Sequence, residues 1–387
     1  MTERPRLEVL DGLRFVAAMS VLAYHYTAIA HVWHRSAAEV FPSQPFAHGW
    51  LGVHLFFLIS GFVICLSSWG RGIGSFLLSR AVRLYPAYWL SVLVVAAGLT
   101  VWPGLPWRPT TLDVLVNLTM FQDAVGAPEI ADVYWSLWAE LRFYLLFSLL
   151  VWWGLTYRRV VAFCALWLGA TALATAFLPD GGVVQTVLTT DYAPLFTAGI
   201  GCYLMYRFRP TFASWAIVAA SFVLALPPVM RRNQLESKAG EIIPNGPVIV
   251  LLAVWFLLIV AVALGWLSWV RGRWLVVAGA LTYPLYLLHL DLGGALLYLF
   301  QWRVPPPLLV PAVTGIMILV AWLVHRYVEQ PLAPRLRHAL RRSAAHARGP
   351  VHRERATSAR PQSAHHNAPV RDLVRKQRPH VNGDPGT

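Results

Sequence analysis

Four ionisable side chains, His25, His54, Glu140 and His289, fall inside stretches apolar enough to lie in a lipid bilayer. Such groups are costly there and mark reaction centres or ion pathways by default. Imidazoles and a carboxylate so placed suit proton transfer, either within a reaction or across a membrane. Two arginine features accompany them. In "LDGLRFVAAMSVLAYHY", Arg14 and His25 are eleven residues apart, which returns them to within about 20° of one helix face and separates them by about 16 Å along the axis. In "SRAVRLYP", Arg80 and Arg83 are three apart at the entry to a span, and two fixed guanidiniums suit phosphate better than a lysine pair would. Plainer roles compete with these: a membrane histidine can simply bond across helices, the arginine pair can anchor headgroups, and Glu140 can neutralise Arg142.

The elements that would position these groups are transmembrane helices. Of 387 residues, 57% are hydrophobic and 13% charged, against about 25% charged in soluble domains. At roughly 20 apolar residues per crossing, ten spans are expected: 9–32, 49–69, 83–102, 135–154, 160–178, 190–206, 211–229, 247–269, 274–300 and 308–328. The fold class is therefore all-α, a polytopic membrane protein of about ten helices. With a cytoplasmic N-terminus, the inner loops hold Arg71, Arg80, Arg83, Arg158, Arg159, Arg207, Arg209, Arg271 and Arg273 without an acid. The outer loops hold Asp113, Asp123, Glu129, Asp132, Asp180, Glu236 and Glu241. That bias places both termini in the cytoplasm. Tryptophans near the expected ends (Trp33, Trp69, Trp102, Trp107, Trp152, Trp153, Trp269, Trp302) suit an interfacial belt. Residues 111–125 are too short and polar to span and are expected as an outer interfacial or re-entrant helix.

The net charge of +14 does not indicate a nucleic-acid partner, because +9 of it lies beyond residue 334. Two parts are expected: a membrane-embedded domain over 1–335 and a basic cytoplasmic tail over 336–387. From 341 onward the tail is too poor in large apolar groups to fold and is expected to stay near anionic headgroups. The first apolar run is too long for a cleavable signal. Cys65, Cys164 and Cys202 lack metal or redox spacing and are expected as packing residues. The glycines of "GRGIGS" follow no strand, and no GxSxG is present. "NLT" at Asn117 is a sequon only in a host that glycosylates.

Six ordered blocks, "LDGLRFVAAMSVLAYH", "GVHLFFLISGFVI", "FLLSRAVRLYPAYWL", "YWSLWAELRFYLL", "TYPLYLLHL" and "YVEQPL", resemble those of the membrane-bound acyltransferase-3 family over about residues 7–335. The resemblance implies an O-acyltransferase that moves an acyl group from acyl-CoA, a co-substrate, to a hydroxyl. It needs no metal and no permanently bound cofactor. The family's Arg and His of the first helix match Arg14 and His25, its Arg-x-x-Arg matches Arg80 and Arg83, its glutamate matches Glu140, and the last residue of its "YLLH" block matches His289. Where the family often has "GVDLFF", this chain has "GVHLFF", so His54 stands in place of an acid.

Many relatives append an extracytoplasmic esterase-like domain, which is absent from this sequence. Its compact form and arginine bias are similar to acyltransferases of macrolide antibiotics, acting at a ring or sugar hydroxyl. An acceptor on a cell-surface polysaccharide or lipid-linked sugar is the alternative. On this reading Arg80 and Arg83, with Arg14, hold the acyl-CoA phosphates. His25 is the general base and Glu140 orients its ring, direct transfer and an acyl-histidine route both staying open. His54 and His289 are pocket candidates. A proton-coupled exporter would use the same buried groups, and a membrane scaffold would leave them without a purpose.

Overall fold

The computed structural model describes residues 7–28, 46–101, 107–178, 182–235 and 244–347. Those residues are helical wherever they are regular, with no strand among them. Helix α1 (Glu8–Ala23) runs into a wide π-type turn, Tyr24–Ala28. A short 3-10 turn, Gly49–Leu51, opens α2 (Gly52–Ser68), which is followed by α3 (Ile73–Val101), the short α4 (Thr111–Asn117) and α5 (Tyr134–Trp153). Then come α6 (Tyr157–Phe177), the short α7 (Val183–Leu188), α8 (Ala193–Phe208), α9 (Phe212–Leu235) and α10 (Gly246–Ala263). Helix α11 (Arg273–Leu288) passes through a second π-type turn, His289–Gly293, into α12 (Gly294–Phe300). Helix α13 (Pro306–Val324) passes through a third, His325–Glu329, into α14 (Gln330–Ala347).

Each of the ten expected spans overlaps a helix, although 274–300 covers both α11 and α12 and 9–32 runs beyond the described residues. Among the described residues, seven helices are long and apolar enough to cross a membrane. The other three are α1, α5 and α8. Helices α1 and α8 have only sixteen residues each, and the twenty residues of α5 include Glu140 and Arg142. Two of the three carry groups singled out for chemistry. The outer face suits lipid: Leu166, Leu173, Phe177, Phe212 and Leu257 are exposed, as are the helix-end residues Trp152, Trp153, Trp269 and Trp302. The chain is a multi-pass membrane protein.

Hydrophobic burial cannot draw helices together inside lipid, so close backbone approach has to. Helix α8 is the axis of the bundle, buried continuously from Ala193 to Met205. It lies parallel to α2, as the ring pairs His54–Tyr192, Phe57–Phe196, Phe62–Tyr203 and Trp69–Phe208 progress together along both helices. At the crossing a Cβ on Gly61 would stand 2.1 Å from the Phe196 carbonyl oxygen, and one on Gly199 would stand 2.0 Å from that of Leu58. Helix α1 is parallel to α11. The Glu8 carboxylate accepts the Gly272 N–H at 2.6 Å at one end, and the Tyr26 hydroxyl donates to the His289 carbonyl at 2.8 Å at the other.

Between α3 and α5 the chain is pinned by buried Asn117. Its amide donates to the carbonyls of Asp113 (2.8 Å) and Pro128 (3.0 Å), and its oxygen accepts the Ile130 N–H (3.2 Å). That side chain is therefore enclosed and not a surface glycosylation acceptor. The segment expected as a helix over 111–125 is α-helical only to Asn117, opened by a Thr110–Asp113 capping box, and ends in a separate 3-10 turn, Asp123–Val125. The three cysteines are buried free thiols.

Three expected boundaries shift. Helix α3 starts ten residues before the expected span, since Leu77, Leu78, Arg80 and Ala81 favour a helix, so Arg80 and Arg83 lie inside it. Helix α9 continues through "MRRNQL" to Leu235. The tail is not structureless from 341, since α14, rich in Ala, Leu and Arg, reaches Ala347. The chain divides into compact units Met1–His338 and Ala339–Thr387. Residues 348–387, and with them most of the expected tail, lie outside the described residues, as do Trp33, Trp102, Asp180, Glu236 and Glu241.

Gly199→Ala drives a methyl group into a backbone carbonyl that cannot swing aside, whereas Gly169→Ala meets nothing within 4 Å. The first is expected to destabilise by at least about 1–3 kcal/mol and the second to be neutral. Thermal denaturation of both variants in detergent checks this.

Candidate active site

The in-register parallel packing of α1 on α11 sets His25 opposite His289. Both lie in π-type turns, a device common at functional sites because it re-aims side chains from a helix. His25 Nδ1 and His289 Nε2 are 2.8 Å apart, with ring centroids at 5.0 Å. The other nitrogen of His289, Nδ1, stands 2.8 Å from the Tyr286 carbonyl oxygen.

Those contacts assign the protons. A carbonyl only accepts, so His289 Nδ1 carries the N–H. In a neutral ring its Nε2 then accepts, and His25 Nδ1 must be the donor. The lone pair of His25 Nε2 then has no partner among the described residues. The Tyr26 hydroxyl, bonded to the His289 carbonyl, ties the two turns together. Gly293 makes room for it, since a Cβ there would stand 1.7 Å from the Tyr26 oxygen.

His25 lines a cavity of about 180 Å³ together with Trp50, His54, Trp135 and Tyr192, with Asp132, Asp191, Arg231 and Arg232 also on its wall. His54 is buried, edge-on to Trp50 at 5.2 Å, and its Nδ1 has no hydrogen-bond partner among the described residues. Arg231 forms a two-pronged ion pair with Asp191 at 2.9 and 3.0 Å. In the segment leading into α5, outside the spans, burial pushes the Glu129 carboxyl up to about 7, with Asp123 and Asp132 reinforcing it.

A second cavity, of about 110 Å³, is lined by Arg14, Arg80, Arg83, Ser60, Glu140 and Tyr144 among others. Arg80 lies 5.9 Å from the Tyr144 ring centre and Arg83 lies 5.9 Å from that of Tyr283. Arg14 also reaches Asp11 at 3.5 Å. Val53 and Tyr286 line both cavities. One face of α1 thus serves both, with Arg14 in one and His25 in the other.

Glu140 is not beside His25. It accepts from the Ser60 hydroxyl and lies with the three arginines. The position that orients His25 is taken by His289. Glu140 does not pair with Arg142 either, because that guanidinium donates to the Thr186 carbonyl and stacks at 5.3 Å on Trp138. The sequence reading overlooked Tyr286, Ser60 and Ser136, as well as the cavity groups Asp132, Asp191, Arg231 and Arg232. Two of these carried a signal: Tyr286 is three residues before His289 and Ser136 four before Glu140, so each shares its helix face.

A multi-pass helical bundle with a histidine on the wall of one cavity and three arginines on the wall of another suits an enzyme that moves a group between two substrates. The model of the acyltransferase-3 family, described as an acyltransferase domain, matches residues 7–326, and the chain belongs to that family. It is an acyltransferase. It is similar to acyltransferase MdmB of Streptomyces mycarofaciens, 26% identical over 374 residues covering 84% of this chain and 91% of the relative. A second relative, protein 2 in the picA locus of Rhizobium radiobacter, is 36% identical over 106 residues, covering 25% of this chain and 49% of the relative. No solved structure matches.

Removing the group that fixes a base's tautomer should be felt almost as strongly as removing the base. His25→Ala is expected to lower the acyl-transfer rate by about 10²–10⁴-fold. His289→Ala should fall in the lower part of that range, and His289→Gln, whose side-chain oxygen can still accept from His25 Nδ1, should recover part of the loss. Single-turnover rates of the three purified variants check the order.

Proposed function

We propose that the chain transfers a short acyl group, acetyl in the first instance, from acyl-CoA to a hydroxyl of a macrolide. The observation that carries this reading is the pair of cavities sharing Val53 and Tyr286, one cationic and one presenting the free His25 nitrogen. Arg80, Arg83 and Arg14 suit the phosphates of the donor, since guanidiniums bind them through paired charge-assisted bonds. The thioester reaches the boundary at Tyr286, and the acceptor enters the histidine cavity.

His25 Nε2 takes the acceptor's hydroxyl proton as the oxygen bonds to the acyl carbon. When the carbon–sulfur bond breaks, the coenzyme thiolate takes that proton from His25. His289 holds the imidazole in the required tautomer throughout. The chamber has room for the reacting group rather than a whole macrolactone, so the bulk of the acceptor sits toward Asp132, Asp191 and Arg231. Resemblance to macrolide acyltransferases supports the acceptor class.

Ten crossings with cytoplasmic termini are part of the same proposal. Helices α2 and α8 are parallel, which needs an odd number of crossings between them, and α3, α5 and α6 supply it only if α5 is counted; α1 and α11, also parallel, are separated by seven crossings when α5 and α8 are both counted. The acid-free arginine loops support the orientation, which gives the arginine cavity access to cytoplasmic acyl-CoA.

The test is ester formation by purified protein in detergent from labelled acetyl-CoA and a panel of macrolides, with no ion gradient. Arg80→Gln and Arg83→Gln should each raise KM for acetyl-CoA by about 10–100-fold, the worth of a charged hydrogen bond, with kcat little changed. Ester formed on a polysaccharide or lipid-linked sugar instead would replace the acceptor. No ester on any acceptor would favour the proton-coupled exporter.

A further inference from the structure

An acyl transfer passes through a tetrahedral carbon whose former carbonyl oxygen carries a full negative charge, and in a low-polarity site that oxygen needs a donor already in place. His25 does not supply one, because its Nδ1–H is given to His289 and its Nε2 handles the travelling proton. The donor must also stand where the two substrates meet. Of the two side chains that line both cavities, Val53 is apolar, and Tyr286 carries a hydroxyl.

We infer that the Tyr286 hydroxyl is the oxyanion donor of the transfer reaction. The inference rests on the reading of the chain as an acyl-CoA-dependent O-acyltransferase.

The hydrogen bonds around Tyr286 fit this task. Its oxygen is 2.7 Å from Ser136 Oγ, and Ser136 itself donates to the Val133 carbonyl at 2.9 Å. A serine has one O–H, so with that proton committed Ser136 Oγ accepts and the Tyr286 O–H donates to it. The phenolic proton is thus held in the resting site by a neutral acceptor. An oxyanion at the boundary is a better acceptor, because charge-assisted bonds are roughly twice as strong as neutral ones. The proton turns from Ser136 to the oxyanion as charge develops, and returns when the carbonyl re-forms. No proton is transferred in that exchange, so the balance of the reaction is unchanged: His25 Nε2 receives the hydroxyl proton and gives it to the thiolate.

The tyrosine ring is fixed well enough to act in this way. It is buried, packs edge-on against Phe56 at 5.6 Å, and lies 5.8 Å from the His289 ring. Its own carbonyl is the acceptor that sets the His289 tautomer. One residue therefore places the oxyanion donor with its side chain and the base pair with its backbone, so any shift of α11 moves both together.

Tyr286→Phe keeps the ring and the carbonyl and removes only the donor. The expected result is a fall in kcat for ester formation of about 10²–10³-fold, the usual effect of losing one oxyanion donor, with KM for acetyl-CoA little changed and the melting temperature in detergent as in wild type. Wild-type turnover by Tyr286→Phe would overturn the inference while leaving the acyltransferase reading intact. So would a fall in kcat accompanied by a lower melting temperature, which is the mark of a packing role. A wild-type protein that forms no ester from acetyl-CoA would overturn both.

Discussion

The hydrogen bond between His25 and His289 depends on a register that the rest of the bundle must hold. Two imidazoles buried in a membrane protein are costly unless each has a partner, and here each satisfies the other only because α1 and α11 are aligned at both ends. Glu8 fixes one end on the Gly272 amide, and Tyr26 fixes the other on the His289 carbonyl. A slip of one helical turn, about 5.4 Å, would break the contact between the two rings and leave His289 only its bond to the Tyr286 carbonyl. The same bond determines the chemistry, since it decides which nitrogen of His25 faces the cavity. Stability and reactivity are here two consequences of one contact.

This register explains why the helices least suited to lipid are the ones inside. Helix α8 has almost no lipid-facing surface, buried continuously from Ala193 to Met205, so it has no need of a long apolar exterior. Helix α5 carries Glu140 on a wall that faces protein. The apolar helices α6, α9 and α10 form the lipid contact, with Leu166, Phe212 and Leu257 exposed. The bundle thus separates a polar interior from a bilayer solvent, which is how the ionisable side chains are tolerated.

Much of this arrangement was legible in the sequence where one helix was enough to decide it. The eleven-residue spacing of Arg14 and His25 placed both on one face, and the three-residue spacing of Arg80 and Arg83 brought both to one cavity, because helical phase is a local property. Contacts between helices were not legible. Depth alone allowed Glu140, His54 or His289 to meet His25, and the azimuth of each helix, set by packing such as Gly61 on Phe196, chose His289. The polar ending of α9 misled for a related reason. "MRRNQL" reads as a loop by composition, yet in the fold it continues the helix and carries Arg231 and Arg232 to the cavity wall. Nothing in the sequence around Asn117 announced its role, since its three backbone partners come from the folded loop.

Glu140 gains a different physical meaning from its surroundings. Three guanidiniums lining one cavity repel each other, and Glu140 lines the same cavity. A carboxylate among them lowers the cost of assembling the cluster when no anion is bound, and still leaves the cavity cationic enough to attract one. Its bond from Ser60 keeps it from closing onto a single arginine. A charge placed to balance the empty state has to be held back in this way, because a carboxylate free to pair fully with one guanidinium would compete with the phosphate that the cavity is built to receive.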